Sequence, residues 1–360
     1  MLIFKLLCWT LYGVSMLSTI ASLVKWDHWW VRMFDFPRIQ IVAIHFLSLL
    51  FGLLIVWPDD RWSLLFVASL LISMAYQMSK IYPYTPFSKK EVSRCMETAD
   101  QNEISLMVSN VLTPNRQADK LLKLVYRYQP DILLTLESDQ WWQDQLSVLE
   151  QAYPHTVKIP LDNLYGMHLY SKLNLTETKV LYLVEEDIPS IHSLVTLRSG
   201  EKIEIHCLHP EPPSPTESET STSRDAELLI VGKNVKQSSC PVIVLGDLND
   251  VAWSRTTKLF QKISGLLDPR IGRGFFNTFH AGYWFLRWPL DHVFISKEFL
   301  LRTIKVLPSI GSDHFPVFMH LHLNPPKAHL NDSQQAPPDR EEKDWADEKI
   351  ENADPKIRVF

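Results

Sequence analysis

The sequence predicts a mixed α/β domain carried behind three membrane-spanning helices. Three observations lead there. Apolar residues crowd into three runs within residues 1–80, the apolar runs shorten sharply from about Glu103 onward, and stretches with leucines at helical spacing lie between those shorter runs.

The first apolar run, Leu2 to Val24, is broken mainly by Lys5; Ile39–Val56 and Leu64–Met78 follow. A bilayer core takes roughly 17–25 apolar residues, so spans are expected at about 2–24, 39–56 and 64–79, making residues 1–80 a membrane anchor in a lipid bilayer. A signal peptide fits less well, because no small-residue cleavage site follows the first run and two further runs come after it. Trp26, Trp29, Trp30, Trp57 and Trp62 stand at the run ends, where indole prefers the interface, and Pro37, Pro58 and Pro83 fall between or after the helices. His45, inside the second run without a nearby acid, reads as a packed residue rather than a functional group.

Residues 81–102 read as a linker. Beyond it, Ile104–Val108, Ile132–Leu136, Ile203–Cys207, Val242–Leu245 and His292–Ile295 read as buried strands, with helices at Ala118–Tyr128 and Arg224–Lys236. Pro210–Ser223, rich in Pro, Ser, Thr and Glu, reads as a long surface loop. Residues 103–323 form the folded domain on this reading. Asn324–Phe360, charged and proline-rich with few apolar residues, reads as a disordered tail.

A chain of 360 residues with net charge −5 does not suggest nucleic-acid binding by a broadly basic surface, although local basic patches stay open. Cys8, Cys95, Cys207 and Cys240 show neither a CxxC pair nor zinc-type spacing. They read as free or buried thiols, with a Cys207–Cys240 disulfide as the open alternative.

The chemistry lies at the strand ends. Asn110 follows ISLMVS, Glu137 follows DILLTL, His209 follows IEIHCL, and Asp247 and Asn249 follow VIVLG. Asp291 precedes HVFIS, and Asp313 and His314 stand in GSDHFP. Strands ending this way can gather their polar groups at one sheet edge, where carboxylates suit a hard divalent cation and imidazoles suit proton transfer. Singly, each has a structural reading: Glu137 or Asp247 as a cap, His209 closing a loop, Asp291 paired with Arg287.

The ordered set Asn, Glu, His, Gly-Asp-x-Asn, Asp-His, Ser-Asp-His resembles the endonuclease/exonuclease/phosphatase superfamily over roughly 103–323, most specifically in GDLND (246–250) and GSDHFP (311–316). The resemblance implies a four-layered α/β sandwich and hydrolysis of phosphate esters by in-line attack of water, with Mg2+ or Mn2+. Carried over residue by residue, Glu137 is the principal metal ligand, with Asn110 and Asp313 beside the metal. His209 lies near the scissile phosphate, Asp247 and Asn249 orient water and phosphate, and Asp291 orients the catalytic His314. Either Asp247 or His314 takes the proton from water. Val-Leu-Thr follows Asn110, with no acid where some nucleases have one, so no second metal is expected there.

Three functions stay in play: a metal-dependent phosphoesterase held at a membrane, a membrane-tethered nuclease, and an inactive scaffold using the fold for binding. The substrate is a phosphate ester, of nucleic acid or of a lipid headgroup; no protein partner is evident. The segment YWFLRW (283–288) reads as a packed hairpin or loop, with base stacking or headgroup contact as the alternative, and Trp141 and Trp142 read as helix-surface packing. The layout fits a multi-pass protein of a bacterial inner membrane. Lys25, Arg32, Arg38, Lys80, Lys89, Lys90 and Arg94 on the domain's side favour a cytoplasmic domain. The short N-terminus with Lys5 favours export, and the side stays open.

Overall fold

The computed structural model describes residues 2–55, 61–331, 333 and 336–360. Val56, Trp57 and Pro58, assigned above to the end of the second run, lie outside them. The N-terminal segment comprises α1 (Leu2–Leu23), a short α2 (Trp29–Arg32), α3 (Arg38–Ile55) and α4 (Arg61–Ile81). By length and composition, α1 and α4 can each cross a bilayer. A third span arises if α3 is counted with the segment containing α2, from which it is bent by 72°. The helices pack through Cys8, Phe66 and Leu70, with Tyr12, Met16 and Leu49 around them, while Leu6, Ile20, Leu54 and Ile72 point outward. His45 is buried, its ring 3.3 Å from Thr19 Oγ1 and 2.7 Å from the Ile41 carbonyl.

The folded domain is built on two sheets. Strands β1 (Glu103–Asn110), β2 (Ile132–Leu136), β3 (His155–Ile159), β4 (Met167–Ser171), β10 (Phe299–Val306) and β11 (Val317–Leu323) make one, in the order β10-β11-β1-β2-β4-β3. The other runs β5-β6-β7-β8-β9, from β5 (Asn174–Leu181), β6 (Ser190–Thr196), β7 (Lys202–Leu208), β8 (Val242–Asp247) and β9 (Asp291–Ile295). Alternate residues of both sheets, among them Leu106, Leu134, Ile205 and Leu245, interdigitate in one core. The outer face of the first sheet is covered by α5 (Ala118–Tyr128) and α6 (Gln140–Leu146) through Leu121, Val125 and Trp142. The second is covered by α7 (Thr222–Val235) and α8 (Arg255–Ser264) through Leu228, Val231 and Phe260. Helix, sheet, sheet and helix make the four-layered sandwich. Strands covered on both faces carry apolar residues on both, which is why β2 and β8 read as near-continuous runs rather than alternations.

Three expectations change. The segment 324–360 is not a disordered tail throughout: α9 (Arg340–Asn352) packs on α7, with Ala346 and Ile350 buried and Trp345, Ile357 and Phe360 partly so. Few apolar residues suffice because they fall on one face of a helix opened by a capping box at Asp339 and Glu342. Residues 81–102 are no free linker either. The Tyr84 hydroxyl donates to the Ala252 carbonyl at 2.6 Å, a Glu91 carboxylate accepts from Asp268 N at 2.8 Å, and Val92 enters the inter-sheet core. Trp142 is fully buried rather than a surface residue. All four cysteines are free, with Cys207 in the inter-sheet core and His206 on the opposite face, 2.7 Å from His192.

Candidate active site

Strand pairing decides which side chains meet. In the first sheet β1 and β2 run parallel, with Asn110 opposite Leu136, so Asn110 and the next residue, Glu137, leave the same edge. In the second, β7 and β8 run parallel with Leu208 opposite Gly246, which brings His209 and Asp247 to the matching edge. The antiparallel strands begin where these end. Asp291 pairs with Asp247, and Val317 pairs with Val108, so GSDHFP enters beside Asn110. This is the carboxyl end of the parallel strands, where open α/β sheets bind ligands.

Asn110 joins the two sheets. Its Nδ2 donates to Glu137 Oε1 at 2.7 Å and to Asp247 Oδ2 at 3.1 Å. Asp247 Oδ1 accepts from Asn249 N at 3.0 Å, while its Oδ2 lies 3.4 Å from His314 Nε2 and 4.0 Å from His209 Nε2. His314 Nδ1 lies 2.8 Å from Asp291 Oδ2. Arg287 instead bonds the Tyr283 and Ala281 carbonyls, so it is not the partner of Asp291. Glu137, His209, Asp247, Asn249, Asp313 and His314 line one cavity of ≈ 330 Å³. The Asn249 amide donates to the Pro210 carbonyl at 2.9 Å, so its side chain also ties down the proline-rich loop. Two glycines of the motifs are steric necessities. At Gly246 (φ 145°) a Cβ would sit 1.9 Å from the Leu208 carbonyl oxygen of β7, and at Gly311 (φ 95°) one would sit 2.1 Å from Gln117.

The electrostatics separate the groups. Burial pushes Glu137 up to about 7, against the Asn110 hydrogen bond, and its Oε2 is buried with no hydrogen-bond partner among the described residues. Burial also works against a charged His314, but Asp291 and Asp247 outweigh it and raise the ring to about 10. His209, buried with weaker compensation from Asp247, is pushed down to about 4. Burial opposes the Asp247 carboxylate, yet His314 and His209 hold it below its ordinary range. The cluster thus contains an imidazolium, a neutral imidazole, a stable carboxylate and a buried acid that lacks a cation.

That unpaired Oε2, in a left-handed backbone position (φ 57°) pinned by a Thr113 hydroxyl donating to the Glu137 carbonyl at 2.9 Å, fits a hard divalent cation, with Asp313 across the cavity. Asp247, Asp291 and His314 also bring potential ligand atoms within 4.8 Å of one another. Both nitrogens of His314 already face carboxylates, however, so this trio is better described as a hydrogen-bonded relay.

Residues 107–314, more than half the chain, match the family model described as "Endonuclease/Exonuclease/phosphatase family". The chain belongs to that family. Its members are hydrolases acting on phosphate esters and generally use divalent metal ions. Among solved structures, Danio rerio TDP2 in complex with a single-strand DNA product is similar at 16% identity and a TM-score of 0.51, covering 61% of this chain and 99% of that one. An endonuclease/exonuclease/phosphatase from Beutenbergia cavernae is similar at 17% identity and a TM-score of 0.50, covering 62% and 72%. At these identities the likeness concerns the fold. No curated protein matches the chain.

Several neighbours of this candidate site carry no mark in the sequence. Tyr165 stacks at a tilt on His209 (5.3 Å between centroids), bonds to Glu217 and helps line the cavity. Phe36, between α2 and α3, lines it as well. Beneath the GDLND turn, Arg224 Nη1 donates to the Asn249 carbonyl at 2.8 Å and Arg224 Nη2 to Asp225 at 2.8 Å; Lys349 of α9 donates to Asp225 at 3.0 Å. His292 sits between Arg270 Nη2 (2.6 Å) and the Asp250 carbonyl (2.8 Å). Arg270 can only donate and the carbonyl only accept, so Nε2 carries the proton. Asp250 was legible in the motif; Phe36, Tyr165 and Lys349, distant in sequence, carried no signal.

Proposed function

We propose that this protein is a membrane-held phosphoesterase that hydrolyses a phosphate ester by in-line attack of water, using Mg2+ or Mn2+. The observation that carries the reading is the convergence of Glu137, His209, Asp247, Asp313 and His314 on one cavity, with Asn110 bonded to Glu137 and Asp291 to His314 behind them and a Glu137 oxygen buried and unpartnered. Glu137, with Asn110 and Asp313 beside it, would hold the cation, which supplies polarisation of a phosphoryl oxygen and offsets developing charge. Asp247, a carboxylate at neutral pH, orients the water and accepts its proton. His314, kept cationic by Asp291, stabilises charge on the phosphoryl oxygens and can return a proton to the leaving oxygen. His209, neutral, donates one hydrogen bond. Asn249 fixes the turn that aims Asp247. An inactive scaffold would have no use for this complete acid–base set.

A lipid headgroup is the favoured substrate. Phe36, just before α3, forms part of the cavity wall, and Gln40 of α3 donates to the Phe285 carbonyl at 2.7 Å. Beside it Trp284 is 82% exposed, with Tyr283 and Phe285 half exposed. An aromatic loop set against the first turn of a membrane helix suits the interface, so the mouth of the cavity would open at the bilayer surface. The test is hydrolysis by the purified full chain, with Mg2+, Mn2+ or EDTA, of bis-p-nitrophenyl phosphate, a phosphodiester lipid in mixed micelles and single-stranded DNA. Metal-dependent cleavage of the first two is expected. Preferential cleavage of DNA would favour the nuclease reading, and no cleavage of any substrate by the folded protein would refute enzymatic function.

A further inference from the structure

The catalytic cavity is not the only charged one. A second cavity of ≈ 390 Å³, sharing no lining residue with the first, lies where the anchor meets the folded domain. Seven Lys and Arg side chains line it against two carboxylates, in a chain whose net charge is −5. Asp35 is taken up by Arg32 and Arg38, and Glu342 by Lys262. Lys25 pairs with Glu341, which does not line the cavity; among the described residues, the remaining three form no ion pair with a carboxylate. Lys80 lies over the Tyr76 ring, Arg255 lies 3.8 Å over Trp345 with a buried, unbonded Nη1, and Lys258 donates to the Tyr84 hydroxyl at 2.9 Å. Burial pushes Lys258 down to about 8, outweighing the attraction of Asp268 and Glu91. The first turn of α8, capped by Ser254, adds its positive dipole end.

Depth indicates what would neutralise these cations. The walls come from the last residues of α1, the first residue of α3 and the last turn of α4, all on the folded-domain side. A membrane helix ends there at the level of lipid phosphates, and basic pockets between such helices bind anionic headgroups. We propose that this junction cavity binds a phosphate group, carried by an anionic lipid headgroup in preference to free phosphate. The lipid source rests on the membrane reading above; the phosphate chemistry does not. The segment between Arg32 and Arg38 touches both cavities, Asp35 lining this one and Phe36 the catalytic one, so the occupant would also brace the catalytic wall.

The test is native mass spectrometry of the detergent-purified full chain, titrated with phosphatidylglycerol, with phosphatidylcholine, and with inorganic phosphate. One phosphatidylglycerol should be retained in preference to phosphatidylcholine. The double variant Arg255→Gln/Lys258→Met should weaken it by about tenfold or more, as expected for lost hydrogen bonds to a charged group, and the Lys120→Gln control should not. If the double variant does not fold, Lys80→Gln, at an exposed position, should still weaken retention severalfold. Displacement of the lipid by inorganic phosphate would support the phosphate site and overturn the lipid source. No preference for phosphatidylglycerol, or equal retention by every variant, would overturn the proposal. Bis-p-nitrophenyl phosphate hydrolysis, followed separately, distinguishes failure here from failure of the catalytic reading.

Discussion

Replacing Asp291 with Asn removes a buried charge 2.8 Å from His314 Nδ1 while leaving an amide oxygen that can accept the same proton. The ring keeps its place but loses the nearer of the two carboxylates that raise it from 6.5 to about 10. That rise corresponds to about 5 kcal/mol in favour of the charged ring, at 1.36 kcal/mol per pH unit. Asp291 is the foremost of the groups that raise the ring, and its loss is expected to cost the charged form on the order of 2–3 kcal/mol. The sign is fixed by the direction of the rise: a raised imidazole stays charged through neutrality and loses its proton only at high pH. In the wild type, activity should therefore hold through neutral pH and fall toward pH 10. In Asp291→Asn, burial regains the upper hand, the falling limb moves down by about two pH units or more, and kcat at neutral pH drops by about 10²–10⁴, the usual worth of a positioned acid–base group. Hydrolysis of bis-p-nitrophenyl phosphate from pH 5 to 10, with far-UV dichroism as the fold control, measures both. A folded variant whose kcat stays within about threefold and whose limb does not move would refute the relay.

Glu137 is raised as well, by burial, and here the rise favours the neutral form. An acid raised from 4.5 to about 7 stabilises the metal-free fold below its unfolded value, and that contribution, about 3 kcal/mol at most, is lost as pH rises to 7. Divalent metal should therefore raise the melting temperature more at pH 8 than at pH 5 in the wild type, and this difference should vanish in Glu137→Gln. Truncation before Arg340 removes Lys349 and the apolar face of α9 formed by Trp345, Ala346 and Ile350, and leaves Arg224 as the one cation paired with Asp225. A loss of about 3–5 kcal/mol in denaturant stability is expected, and an unchanged midpoint would show that α9 is dispensable. Phe36→Ala should raise KM for a lipid substrate severalfold with little effect on kcat for bis-p-nitrophenyl phosphate; equal effects on both would place Phe36 in folding rather than in the cavity wall.

The sandwich was legible because its strands are covered on both faces and read as apolar runs bounded by polar ends. The clustering of the candidate residues was legible because they stand at or just after those ends: Glu137 after β2 and Asp247 at the end of β8 lie where the strand pairing brings them to one edge. Strands with mixed faces escaped. Strand β5 alternates exposed and half-buried residues with no single apolar run, and β10 and β11 carry Lys, Arg and His among their apolar positions. The tail escaped for another reason. Mean composition counts residues without their phase, and Trp345, Ala346 and Ile350 matter because they share a helix face. The part of the N-terminal segment in the cavity, through Phe36, rests on packing between segments that are far apart in sequence, which leaves no local pattern.

The most direct test of the account is hydrolysis of bis-p-nitrophenyl phosphate by the purified full chain as Mg2+ or Mn2+ is titrated, with Glu137→Gln alongside. The account predicts a saturable metal dependence abolished by EDTA, and a folded Glu137→Gln whose activity falls by about 10² or more at every metal concentration. Hydrolysis that persists in EDTA, or a folded Glu137→Gln with the metal response of the wild type, would contradict it.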